Sequence, residues 1–327
     1  HSLPATLGAD APYENMGTIQ TKGWELAIDY RHTFKNGLHF GVTASVADDK
    51  TEVTKWTYNT KIPSYGATGW WDKSAYKEGM VLGDIWGLQF DRFLTEDDFN
   101  ADGSLKAGLP DQTKVFPAGY QFAPGDVLYK DLDNNGEIVK QTNTNDKGDL
   151  SVIGNALPRL QFGLNLDAAW KGFDISMFFQ GVAKRKLWAA GNQVLPGFTT
   201  GEPFYKGAED YWTPENTDAF YPRPMDYKQS ASGNYSVNDR YLLNMAYLRL
   251  KTFTVGYSLP KVWLSKFKVQ GLRVYFTGEN LFTIDGVKPA IDPEIGIRTA
   301  SGKSDQRNFG RSYPYQKTVS FGIQLSL

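Results

Sequence analysis

Oxygen-bearing side chains recur at every second position in YKDLDNNGEI, Tyr129 to Ile138, where Asp131, Asp133, Asn135 and Glu137 alternate and Gly136 follows the third donor. This matches the front of a calcium loop, in which alternate side chains converge on one ion and a glycine permits the sharp turn. The bidentate Glu that closes such a loop at its twelfth place is replaced by Thr142, with Asp149 available further along. A second stretch, DFNADG, sets Asp98, Asn100 and Asp102 at the same spacing before Gly103, again without the distal Glu. The competing reading of both is an Asx-rich turn in an exposed loop. A bound calcium would be structural, because an oxygen cage pins a loop without doing bond chemistry.

Aromatic side chains offer a second kind of chemistry. Trp70 and Trp71 lie in GATGWWDKSAYKEG, and Tyr211 and Trp212 in EDYWTPEN, with Phe198, Phe204 and Tyr205 close by in the same loop. Rings beside Asp, Glu and Asn suit a substrate site, where apolar sugar faces stack and polar groups bond the hydroxyls. They equally suit contact with a lid protein, or packing of loops on one another. Catalysis finds no support: no acid/base pair, Ser/His/Asp order, P-loop or dinucleotide fingerprint stands out. The chain therefore reads as a non-enzyme that requires no cofactor. It has no cysteine for thiolate or disulfide chemistry, and His1, His32 and His39 lack zinc-type spacing. A net charge of −1 over 327 residues argues against a nucleic-acid partner.

The elements that must position these residues are strands. Aromatics make up 14% of the chain, yet mean hydropathy is only −0.44. A chain both ring-rich and polar fits strands that alternate between two environments. Trp24, Leu26, Ile28 and Tyr30 oppose Glu25, Ala27, Asp29 and Arg31. After Lys35-Asn36-Gly37 the alternation resumes through Leu38, Phe40, Val42, Ala44 and Val46, which predicts a hairpin. A second hairpin is predicted around Lys171-Gly172, and further strands at 86–90, 248–259, 272–276 and 319–327. Residues 262–267 read as one or two helical turns. No apolar run approaches the ~20 residues of a membrane-spanning helix.

The connections are lopsided. Two- or three-residue turns join some strands, while polar, ring-rich and glycine-rich stretches near 48–80, 95–157, 187–240 and 285–312 separate others. Short turns on one side and long loops on the other predict a transmembrane β-barrel, and Trp170 and Phe173 beside a short turn suit its interfacial girdle. The alternative is a secreted, carbohydrate-binding β-sandwich with structural calcium, whose core the same apolar faces would fill.

Several segments in order carry a family resemblance. They are NMGTIQTKGWELAIDYRHTFKNGLHFGVTASVADDKTEV, GDVLYKDLDNNGEI, VIGNALPRLQFGLNLDAAWKGFDISMFFQG, DYWTPENTDAFYPRP, AYLRLKTFTVGYSLP, LRVYFTGENLFTI, DPEIG and the final YPYQKTVSFGIQLSL. Together they resemble the C-terminal part of the SusC/RagA-type TonB-dependent transporters of the Gram-negative outer membrane. The resemblance implies an all-β fold for residues 1–327: the C-terminal portion of a large antiparallel transmembrane barrel, with short periplasmic turns and long extracellular loops. Its function would be import of bulky nutrients, glycans or oligopeptides. It implies as partners a SusD-like surface lipoprotein, TonB acting through an N-terminal part, the remaining barrel and plug, and outer-membrane lipid. The eight to ten strands read here fall short of the ~22 of such plugged transporters, and eight closed on themselves would leave no route for a bulky solute. The first residue, His1, and an ending inside the last strand at Leu327, where an aromatic is usual, fit the last portion of a longer protein. An outer-membrane siderophore receptor or adhesin shares the barrel without the lid, and remains a further alternative.

Overall fold

The computed structural model describes residues 15, 17–57, 77–140, 147–189, 191–198, 204–225, 233–265, 269–288, 291–294 and 313–326. In chain order its first strands are β1 (Gly17–Thr33), β2 (His39–Trp56), β3 (Asp84–Gly87), β4 (Phe90–Phe93), β5 (Val127–Tyr129) and β6 (Ser151–Asn155). They continue as β7 (Arg159–Trp170), β8 (Phe173–Lys184), β9 (Lys186–Leu187), β10 (Leu243–Asn244), β11 (Tyr247–Ser258), β12 (Gly271–Asp285) and β13 (Thr318–Ser326). A four-residue helical turn, α1 (Lys261–Leu264), starts one residue before the predicted 262.

Seven strands form one antiparallel sheet in the order β1-β2-β7-β8-β11-β12-β13. Each strand of this wall pairs with the wall strand before it in the chain, so the wall is an up-and-down meander. The hairpins form where the sequence predicts them, because their turns have the right chemistry. Lys171 and Gly172 both adopt positive φ (49° and 89°), the conformation a two-residue turn needs to match the strand twist. In the β1–β2 turn the Leu38 amide donates to Asn36 Oδ1 at 3.1 Å.

Register carries the alternation across the wall. Leu26 faces Val46, Val46 faces Phe162, Leu164 faces Phe179, Ile175 faces Val255, Val255 faces Phe276 and Phe276 faces Phe321. Directly opposed residues point to the same side of a sheet, so these side chains make one continuous apolar face. The residues between them make a polar face: Thr43 opposes Asn165, and Thr277 lies between Thr254 and Ser320. The apolar face is open, with Phe321 82% and Phe173 58% exposed. A sandwich would bury it under a second sheet; among the described residues no second sheet covers it. Rings gather beside the short connections, where Phe173 and Tyr257 lie 4.5 Å apart between centroids and Trp170 and Trp263 are exposed.

Three departures from the sequence reading follow. The wall has seven strands among the described residues, fewer than the eight to ten read, and no closed barrel. The stretch 86–90 is not a wall strand: β3 pairs with β6 and β4 with β5 in separate two-stranded sheets. The third departure concerns the core, which lies in the long connections. One buried cluster centres on Trp188, Leu195, Tyr241 and Met245, and another on Leu88, Val127, Tyr129 and Ile138. Glycine-rich, polar connections hide this core because its apolar residues come in short runs, such as Val127–Tyr129 and Leu187–Ala189, without a period.

Candidate functional site

The connections 57–158, 185–246 and 286–317 all leave the wall at the end away from the short turns, and their described parts interlock into a cap. Asp126 is fully buried between the first two. Its carboxylate accepts from Arg223 Nε (2.8 Å), Tyr120 Oη (2.9 Å), Asn234 Nδ2 (2.9 Å) and the Ala123 amide (2.9 Å). Asn234 Oδ1 accepts from the Val127 amide at 2.7 Å, and Tyr129 Oη donates to the Gly233 carbonyl at 2.8 Å. A charge so enclosed is tolerable because every direction around it holds a donor. Burial and the neighbouring Asp126 charge push the Tyr120 phenol well above its usual range.

The third connection joins through the DPEIG segment. Arg249, on the polar face of β11, donates to Asp292 Oδ1 at 2.7 Å and pairs with Glu294 at 3.2 Å, while Lys251 reaches Glu294 at 2.6 Å. Asp292 Oδ2 also accepts from the Tyr315 amide at 3.0 Å. Sequence reasoning passed over Asp126, Arg223 and Arg249. Such pairs lie about a hundred or about forty residues apart, a separation that leaves no local pattern to find.

The calcium-like loop brings together a different set from the one read. One oxygen from each of Asp131, Asp133 and Asp149 lies within 4.8 Å of the others. Asp149 is fully buried and accepts from the Leu132 (2.8 Å) and Val139 (2.7 Å) amides, which ties the loop to the residues that follow it. Glu137 turns away to pair with Lys114, because its backbone already bridges to Asp111. Asn135 Oδ1 faces inward to the Glu137 amide at 2.7 Å. Asp131 Oδ2 accepts from the Gly136 amide at 2.8 Å, which lowers its pKa, while its Oδ1 is buried without a partner. Desolvation, together with the Asp149 and Asp131 charges, raises that of Asp133. An all-oxygen donor set with an orphaned carboxylate oxygen fits a hard cation such as calcium. The second loop is a turn: Asp98 is engaged by Arg92 at 2.6 and 2.7 Å, and Asp102 by Ser104 at 2.6 Å.

The ring candidates separate. Trp70 and Trp71 lie outside the described residues. Trp212 is only 7% exposed, and its ring packs in the second core cluster. Phe198 is likewise buried. Tyr211 is 40% exposed and lines the mouth of a cleft of about 690 Å³ with Phe204 and Tyr205. Tyr221 and Tyr235 form the floor. A single backbone step from Tyr211 to Trp212 thus reverses the direction of the side chain, as expected where Trp212 pairs through its amide with the Tyr221 carbonyl at 3.0 Å.

No family model matches the chain. It is 26% identical over 335 residues to the TonB-dependent receptor P3 of Formosa agariphila, covering 99% of this chain and 30% of that protein. It is 22% identical over 322 residues to the TonB-dependent receptor SusC of Bacteroides thetaiotaomicron, covering 96% of this chain and 27% of SusC. The chain thus spans about 30% of the length of these curated relatives. Among solved structures, the RagAB peptide importer in its open-open state superposes with a TM-score of 0.63 at 17% identity, over 100% of this chain and 31% of that one. The fold and the sequence likeness agree along the whole chain: both are to TonB-dependent receptors of the SusC/RagA type, over about 30% of their length.

Proposed function

We propose that this segment, residues 1–327, is the C-terminal barrel portion of an outer-membrane TonB-dependent transporter of a Gram-negative bacterium, importing bulky nutrients, glycans or oligopeptides. In this reading the short connections face the periplasm and the cap faces outward. A SusD-like surface lipoprotein closes over the cap, and TonB acts through an N-terminal part and plug. The single observation that carries the reading is the two-sided wall: an open apolar face with rings at one rim, backed by a polar face, is what lipid on one side and a wet lumen on the other require. Among the described residues the outer edges of β1 and β13 pair with no further strand, which supports completion by further wall strands, since unpaired backbone groups are costly in hydrocarbon. No step of covalent chemistry enters, and the role needs no cofactor. The orphaned Asp131 Oδ1 supports a structural calcium held by Asp131, Asp133 and Asp149.

The test is uptake. Cells carrying the complete transporter are supplied with labelled oligosaccharides and peptides, with and without functional TonB. Uptake that requires both the transporter and TonB is expected. Surface binding without TonB-dependent uptake would instead favour the adhesin reading, and uptake of ferric chelates alone the siderophore reading.

A further inference from the structure

We infer that the cleft at Tyr211 binds a short peptide through prolyl or aromatic side chains, so that this transporter handles peptides in preference to neutral glycans. The inference rests on the import reading and names its substrate class. The argument begins with what the cleft offers. Around the rings of Phe204, Tyr205 and Tyr211 stand Pro196, Pro222 and Pro224. Prolines contribute flat apolar faces and no amide hydrogen. Grooves of rings and rigid backbone suit extended, proline-containing peptides, whose conformation is already restricted before binding.

A glycan needs the opposite balance. Each sugar hydroxyl that leaves water must find a polar partner or lose free energy. The floor supplies few. Tyr221 Oη is already committed to the Val194 carbonyl at 2.9 Å, and Tyr235 is buried in the core cluster. Among the described residues the charged groups that line the cleft are Lys206 and Glu209, and neither makes an ion pair with another described residue. One cation and one anion beside an apolar trough complement a peptide with free termini, which carries both charges. They offer a neutral oligosaccharide hydrogen bonds to its hydroxyls but no opposite charge to meet.

The probe pair is the pentapeptide Ala-Pro-Phe-Pro-Ala with free termini and maltopentaose, each titrated into the complete transporter in detergent by calorimetry. Peptide binding is expected to be at least tenfold tighter than binding of maltopentaose. Tyr211→Ala should weaken it tenfold or more, and Glu209→Gln with Lys206→Gln should weaken it several-fold and flatten its salt dependence. Tyr211→Phe should retain it, which separates loss of the ring from loss of the fold. Equal peptide affinity in wild type and Tyr211→Ala, tighter binding of maltopentaose, or no peptide binding would each overturn the inference. TonB-dependent uptake of either probe would leave the import reading standing even then, whereas peptide binding at Tyr211 without any TonB-dependent uptake would sustain the cleft and remove the import reading.

Discussion

Asp98 shows how an acidic residue in a calcium-like sequence becomes part of a turn. The Arg92 hydrogen bond holds its pKa down to about 2, and the Thr95 amide adds a donor at 2.7 Å. A depressed folded pKa means stability that is present above the unfolded value of ~3.9 and lost as pH falls toward the folded one. Asp98→Asn should therefore lower Tm at pH 6, with the gap to wild type closing between about pH 4 and pH 2. A gap that stays constant over that window would remove the ion pair as its source. The Asp131–Asp133–Asp149 group makes a separate prediction. Calcium added to chelator-treated protein should raise stability by about 2.7 kcal/mol at a hundredfold excess over Kd, and Asp131→Asn should abolish the gain in a thermal melt. Trp212→Ala, which opens a cavity in the core of the cap, should cost about 3–5 kcal/mol, read from urea unfolding. Which of two adjacent rings would be buried was not legible: Tyr211 and Trp212 share one neighbourhood in sequence, and only the strand-like reversal between them assigns one to the core.

At the level of elements, the wall was legible because period-two alternation runs through each of its strands and the turns carry their own residue signals. Lys35-Asn36-Gly37 and Lys171-Gly172 marked both hairpins, and Leu248–Leu259 lies one residue from the observed β11. Strand ends were less legible: β12 runs on from the predicted 276 to Asp285. A register shift between Leu250 and Thr252, opposite the positive-φ Asn280, interrupts the alternation there. The short cap strands were read as wall, as at 86–90, because Trp86, Leu88 and Phe90 alternating with Gly87 and Gln89 look the same in either place. Opposite faces of one strand give the sharpest test of the wall. Phe321→Arg puts a cation on the apolar face and should cost about 2–4 kcal/mol if it lies near the bilayer midplane. Its neighbour Ser320→Arg, on the polar face, should insert nearly as well as wild type. The fraction of complete transporter folded into liposomes measures both, and equal losses would count against the assigned faces.

For the whole molecule, the cap matters as a unit. Asp126 joins the first two long connections, and Arg249 ties the third to the wall. Asp126→Ala should leave the partly buried Arg223 without its carboxylate, a change of up to about 3 kcal/mol, and should loosen amide-exchange protection across both connections together, including Tyr129 and Asn234. Protection lost in one connection alone would mean that they move separately. The same division has a thermal consequence. In the proposed membrane setting the wall is held by the lipid around it and the cap by the water it excludes, so two melting transitions are expected rather than one. Urea, which weakens apolar burial in water, should melt the cap first while the strands persist. A change of detergent chain length should move the other transition and leave the cap's where it was. Calorimetry of such a protein reports two heats, and a label of thermostability is incomplete until it says which solvent it refers to.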